Sequence, residues 1–180
     1  MLLNPRLLIV VISIILNACS ASKNQETHIT GPTMGTTYNV KFVSIDAVDK
    51  LELTQQIEQS LIDINLLMST YIQDSELSRF NQWNSVKPFP MSATTLKVLN
   101  EAKRLSDMSE GMLDVTVGPL VNLWGFGPKS QPVKIPTEAL INMTKKLVGI
   151  DKLTIGPSWA SKAEPALYVD LSTIAKGYAV

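Results

Sequence analysis

The spacing of hydrophobic positions changes several times along the chain, and each change marks an element. Over residues 36–45 apolar and polar side chains alternate. Tyr38, Val40 and Phe42 fall on one face and Asn39 and Lys41 on the other, which predicts a strand entered through the tight Gly31-Pro32-Thr33-Met34-Gly35-Thr36 corner. Over residues 48–69, Leu53, Ile57, Leu61, Ile64 and Met68 recur three and four apart, the stripe of a long amphipathic helix facing ordinary core. Asp74 or Ser75 is placed to cap a short helix ending at Asn81, and Pro88 and Pro90 mark a loop. Ser92 opens a second helix with Leu96, Leu99 and Leu105 inward, and Gly111 ends it. A short strand is predicted over residues 112–117, broken by Gly118-Pro119 and followed by an apolar turn over residues 120–127. Pro136-Thr137 opens a third helix, with Leu140, Ile141 and Leu147 inward and Gly149 as its C-cap. Strands near residues 152–155 and 166–169 complete the pattern. Strands and helices alternate unevenly, without an internal repeat, so the expected class is α+β, a mixed sheet with flanking helices.

The N-terminus follows a different rule. Residues 1–18 carry one cation, Arg6, then an apolar run too short to span a bilayer, then Asn17-Ala18-Cys19. This is the layout of a signal peptide, and Leu16-Asn17-Ala18-Cys19 resembles the bacterial lipobox, which predicts lipidation of Cys19. The alternative is an incidental Cys19 at the end of a plain signal peptide. The expected location is the bacterial cell envelope, anchored by lipid on the periplasmic side. Ser20 rather than Asp follows the cysteine, which leaves the leaflet open. Residues 19–30 are polar and read as a tether to a domain spanning residues 31–180.

Composition then removes whole classes of function. Hydrophobic residues make up 45% and charged residues 18%, which suits a globular chain. Sixteen Lys and Arg balance sixteen Asp and Glu with no basic run, so no nucleic-acid partner is expected. One cysteine excludes an internal disulfide. The single histidine, His28, lies in the polar tether and excludes a Ser-His-Asp triad within this chain.

Chemistry-bearing residues gather at structural breaks. Residues 166–169 lead into Asp170, then Ser172-Thr173 and a helix start, where hydroxyls suit a cap and freed amides suit a phosphate. In the Met34-Gly35 corner, glycine lets backbone approach a flat ligand and methionine offers a soft face, although core packing is the commoner use. Tyr71 at a helix end suits ring stacking or ordinary half-burial. Asp114 is a carboxylate within an apolar stretch, and needs either a structural partner or a function. Lys176 near a helix start runs against the helix dipole unless an anion or acidic neighbour compensates it. There is no GxGxxG or Walker pattern. The last helix stops after about one and a half turns without a cap, so the chain is expected to be the N-terminal part of a longer protein.

Taken together, Met34-Gly35-Thr36-Thr37-Tyr38, Leu67-Met68-Ser69-Thr70-Tyr71 with Ser75 to Asn81, the block from Asp114 to Gly127, and the block from Val169 to Ala179 resemble the FAD:protein FMN transferase family, also called ApbE. That resemblance implies a T-fold-related architecture in a family whose members are about twice this length. It implies cleavage of FAD with Mg²⁺ and attachment of the FMN part, through a phosphoester, to a Thr or Ser of a target protein. Targets would include flavoprotein subunits of membrane redox complexes. Met34, Tyr71, Met112, Leu113, Asp114, Asp170 and Lys176 would bind FAD, and the Thr173 carbonyl would contact Mg²⁺. The remaining metal ligands and the catalytic groups would lie in the family's second half, so this chain alone is expected to be inactive. An FAD pyrophosphatase, a non-catalytic lipid-anchored flavin-binding protein and a structural lipoprotein are the alternatives.

Overall fold

The computed structural model describes residues 24–128 and 135–180. The predicted signal peptide and the lipidation site Cys19 lie outside the described residues. Among the described residues no helix is long and apolar enough to cross a membrane.

The chain opens with a hairpin, β1 (Gln25–Thr33) against β2 (Thr36–Ser44), in register from Gln25↔Ser44 to Thr33↔Thr36. The tether reading over residues 19–30 is therefore corrected from Gln25 onward. The inward positions of β1 are Thr27, Ile29, Gly31 and Thr33, of which Ile29 alone is buried, so its alternation carries little hydrophobic contrast. The hairpin is closed by Met34 and Gly35, with φ of +48° and +70°. Two successive left-handed residues make the tight turn that matches the twist of a two-residue hairpin.

Helix α1 (Lys50–Met68) starts at Asp49, whose side chain accepts from Leu51 N and Glu52 N. Its stripe is half-buried and faces β2, and Met68 at its end enters the core. Helix α2 (Glu76–Gln82) is capped by Ser75, as the sequence predicts. The next residue, Glu76, is buried and grips the start of helix α3 (Ala93–Met108), accepting from Ser92 N at 2.8 Å and Ser92 Oγ at 2.7 Å. Ser92 in turn caps α3 through Thr95 N.

Two expectations after α3 change. Residues 112–117 form a turn rather than a strand, because Asp114 Oδ1 accepts from Thr116 N at 2.7 Å and Thr116 Oγ1 at 2.6 Å, folding the chain back on itself. Gly118-Pro119 does not break structure; it starts helix α4 (Gly118–Leu123), where the proline sits in the first turn and its missing N–H costs nothing. Helix α5 (Glu138–Lys145) is capped by Thr137 as expected. It buries none of its residues, with Leu140 exposed, and Gly149 precedes a 3₁₀ turn (Ile150–Lys152) rather than capping the helix.

A three-stranded antiparallel sheet follows, ordered β3 (Phe89–Pro90), β5 (Trp159–Lys162), β4 (Leu153–Ile155). The α+β class holds. In detail, the described strands fall into two antiparallel sheets rather than one mixed sheet, because both the hairpin and the β4–β5 pair are joined by short turns that force antiparallel return. Residues 166–169 join neither sheet, and Ala166 belongs to a turn instead of a strand. The core gathers Leu77, Phe80, Leu99, Ala102, Leu167, Val169 and Leu171, with Phe80 edge-on to Phe89 at 5.7 Å. Helix α6 (Ala175–Ala179) closes the described chain.

Candidate functional site

A cleft of about 630 Å³ opens where the hairpin corner, the end of α1 and the beginning of α6 meet. Its wall carries Met34, Met68, Thr70, Tyr71, Ser172 and Lys176. Met34, Tyr71 and Lys176, three of the residues expected to hold a nucleotide, thus come together from positions far apart in sequence. The corner places Met34 at a cost: a left-handed φ on a residue other than Gly is strained, and such strain collects at functional positions. Tyr71 is placed by the turn after α1. Ser69 accepts from Tyr71 N through its hydroxyl, while its carbonyl accepts from Ser75 Oγ and Ser78 Oγ. The Tyr71 ring is two-thirds exposed and its hydroxyl reaches to 3.5 Å from the Phe126 carbonyl.

Asp170 is not in the cleft wall itself but is joined to it through Ser172. Its Oδ1 accepts from Ser172 N at 2.8 Å and Ser172 Oγ at 2.5 Å, and among the described residues Oδ2 has no hydrogen-bond donor. The predicted hydroxyl cap is corrected here: Ser172 turns back to Asp170, and α6 begins after Ile174 with no side-chain cap. Asp170 N donates to Val115 O at 2.7 Å, which ties the terminal turn to the Asp114 turn.

The other expected residues lie apart from this wall. Asp114 is occupied, with Oδ1 held by Thr116 and Oδ2 accepting from Ile150 N at 3.1 Å, while Thr116 Oγ1 accepts from Gly149 N. Leu113 packs against the core, and Met112 is 92% exposed. Thr173 lines a separate groove of about 700 Å³ between α3 and α6. Among the described residues no three His, Cys, Asp or Glu gather as a metal-holding group. Mg²⁺ takes six oxygen ligands and the Thr173 carbonyl would supply one, so these residues do not make an Mg²⁺ site by themselves.

Sequence reasoning missed the polar cluster formed by Tyr168, Thr70 and Asn122. Burial, followed by the charge of Asp170, raises the Tyr168 phenol above its ordinary value. Thr70 and Asn122 approach its hydroxyl and oppose that shift, each in a geometry too poor to satisfy its oxygen. Thr70 Oγ1 and Asn122 Oδ1 are buried with no partner among the described residues. Two such oxygens in native protein call for a ligand or water, and Thr70 belongs to the cleft wall. The ring of Tyr168 fits only because a Cβ on Gly118 would collide with it. That glycine, followed by Asn122, was the available signal.

The sequence matches the ApbE family over residues 34–180. The chain belongs to the ApbE family. It is 49% identical over 174 residues to the FAD:protein FMN transferase of Vibrio cholerae, covering 96% of this chain and 52% of that protein. It is 47% identical over 181 residues to the FAD:protein FMN transferase of Haemophilus influenzae, again covering 96% and 52%. The fold is similar to that of the flavin transferase ApbE from Vibrio cholerae, with a TM-score of 0.85 and 52% identity over 88% of this chain and 52% of that one. The Pseudomonas stutzeri flavinyl transferase ApbE, apo form, gives a TM-score of 0.82 at 37% identity, over 87% and 51% of the two chains. This ApbE-family chain spans about half the length of the curated relatives it matches.

Proposed function

We propose that this chain forms the FAD-binding part of an FAD:protein FMN transferase. The observation that carries the reading is the convergence of Met34, Tyr71 and Lys176 on one cleft beside the open oxygen of Asp170, in a chain of the ApbE family. A planar ring lies against the Met34 and Tyr71 side chains, and the Lys176 ammonium faces the diphosphate. The Asp170 carboxylate accepts from a ring N–H or a ribose hydroxyl. Met112, Leu113 and Asp114 shape the neighbouring turn.

In the reaction proposed, a Thr or Ser hydroxyl of an acceptor flavoprotein attacks the FMN phosphorus and gives up its proton to solvent, the bond to the AMP oxygen breaks, and AMP leaves. No base is assigned among these residues. Mg²⁺ would neutralise the developing charge, and its dependence belongs to this proposal for a protein of the relatives' length. Lipid attachment at Cys19, a periplasmic location and acceptors within membrane redox complexes are part of the same proposal. The lipid attachment is tested by lipid labelling of the parent against Cys19→Ser.

The deciding experiment incubates the protein, at the relatives' full length, with FAD, Mg²⁺ and a candidate acceptor subunit. The expected result is flavin fluorescence that stays with the denatured acceptor, together with AMP, neither of which forms when EDTA is present from the start. AMP and free FMN without acceptor labelling would instead mark an FAD pyrophosphatase. FAD retention without turnover would mark a carrier.

A further inference from the structure

Asn81 sits near the end of α2, yet its side chain acts as a piece of β-sheet. Nδ2 donates to Val169 O at 2.8 Å, and Val169 N donates to Oδ1 at 2.8 Å. These are the two bonds an antiparallel neighbour would supply to one residue. They land on a stretch that joins neither sheet. Along it Leu167, Val169 and Leu171 are buried, so the alternating residues Tyr168 and Asp170 point the other way, Tyr168 to the polar cluster and Asp170 to Ser172 of the cleft wall. One residue on, Asp170 N donates to Val115 O. The orientation of Asp170 is therefore fixed from both sides, by Asn81 before it and by Val115 at it.

Asn81 is itself held. Its carbonyl accepts from Lys162 Nζ at 3.2 Å, and the same ammonium donates to Pro165 O at 2.8 Å. Lys162 is 2% exposed and lies over the Phe80 ring at 5.5 Å. Its partners are carbonyls and an aromatic face, and no carboxylate of the described residues pairs with it. A buried ammonium without an anion is costly compared with a methionine of similar size, so packing does not account for it. What distinguishes it is the tie: one cation joins the helix end that carries the clamp to the loop that leads into the clamped stretch.

We propose that Asn81, anchored by Lys162, is a positioning residue for nucleotide binding, setting residues 167–171 in the register that turns the open oxygen of Asp170 to the cleft. The inference rests on the flavin reading above and adds to it two residues outside the cleft wall.

The test uses Asn81→Ala, Asn81→Asp and Lys162→Met in the chain, alone and combined with Asp170→Asn, with two readouts. Amide exchange is followed at Val169 and Asp170 and, as a control, in α3. FAD affinity is measured by titration of flavin fluorescence. Asn81→Asp keeps the acceptor for Val169 N but sets a carboxylate oxygen against Val169 O in place of the donor, and Lys162→Met leaves the clamp's own atoms in place, so both serve where Asn81→Ala does not fold. Exchange at Val169 and Asp170 is expected to rise about tenfold with α3 unchanged. The FAD Kd is expected to rise about tenfold for Asn81→Ala, but no more than about twofold when Asp170 is already Asn, because the clamp acts through that carboxylate. Unchanged exchange at the two amides, or fully additive losses of affinity, overturns the proposal. If the parent chain binds FAD and Asp170→Asn weakens it while the Asn81 variants do not, the positioning role alone falls. If the parent binds no FAD, the flavin reading falls and the role falls with it.

Discussion

Asp114-Val115-Thr116 and Asp170-Leu171-Ser172 are the same device used twice. Each aspartate accepts, through Oδ1, from the backbone N–H and the hydroxyl two residues later, and each has a fully buried apolar residue between. One backbone bond, Asp170 N to Val115 O, joins them. They differ in the second oxygen. That of Asp114 is used up by Ile150 N in a half-buried turn, whereas that of Asp170 stays open beside the cleft. A motif in the sequence thus specifies a turn, and its surroundings decide whether a carboxylate is left over for a ligand.

The comparison breaks most sharply at Asp114. Asp114→Ala removes three bonds and leaves Ile150 N and Thr116 N unpaired inside the turn. The expected cost is about 3 kcal/mol, a fall in Tm of roughly 6–12 °C by calorimetry. Thr116→Val, which orphans Gly149 N, is expected to cost about 1–2 kcal/mol in the same assay. Asp170→Asn should do the opposite. It keeps an Oδ1 acceptor for Ser172, so Tm moves by less than about 3 °C, while the FAD Kd rises about tenfold by titration. A large loss of stability there with unchanged affinity would make the two turns equivalent.

Tyr168 sharpens the contrast from outside. Its raised phenol keeps its proton in the folded chain above pH 10.0, the ordinary value, where the unfolded chain loses it. The folded state then binds more protons, so this contribution to stability is intact below that pH and is lost as pH rises through the folded value. Burial is the larger cause and the Asp170 charge the second. Asp170→Asn should therefore lower the tyrosinate transition only in part, as followed by ultraviolet absorbance, and Asp114→Asn should leave it in place. The smallest effect belongs to Ser172→Ala, whose exposed hydroxyl should cost under about 0.5 kcal/mol.

The sequence was most legible where one residue does a local job. Ser75, Ser92 and Thr137 cap the helices they announce, because a hydroxyl at a helix start needs only the next turn to work. The turn at Asp114 was misread because Leu113, Val115 and Val117 alternate like a strand, and nothing local says that Ile150 will arrive to complete it. Trp159–Lys162 escaped notice because Ala, Ser and Lys are poor strand formers and the strand is made by its neighbours on both sides. At the cleft, Met34, Tyr71 and Lys176 were readable as a family pattern. The left-handed φ of Met34 and the polar cluster around Tyr168 depend on approaches from distant residues such as Gly118, and single-chain spacing does not contain them.

The Asn81 amide and Val169 are 88 residues apart in sequence. A contact of that span must overcome a large loop-closure entropy before it returns any energy, so it belongs to the late part of assembly. The helices can form as soon as they leave the ribosome, whereas the cleft wall waits for almost the whole of this chain to be synthesised. Until then Leu167, Val169 and Leu171 have no interior to enter, and the nascent chain is at its most dependent on protection from aggregation.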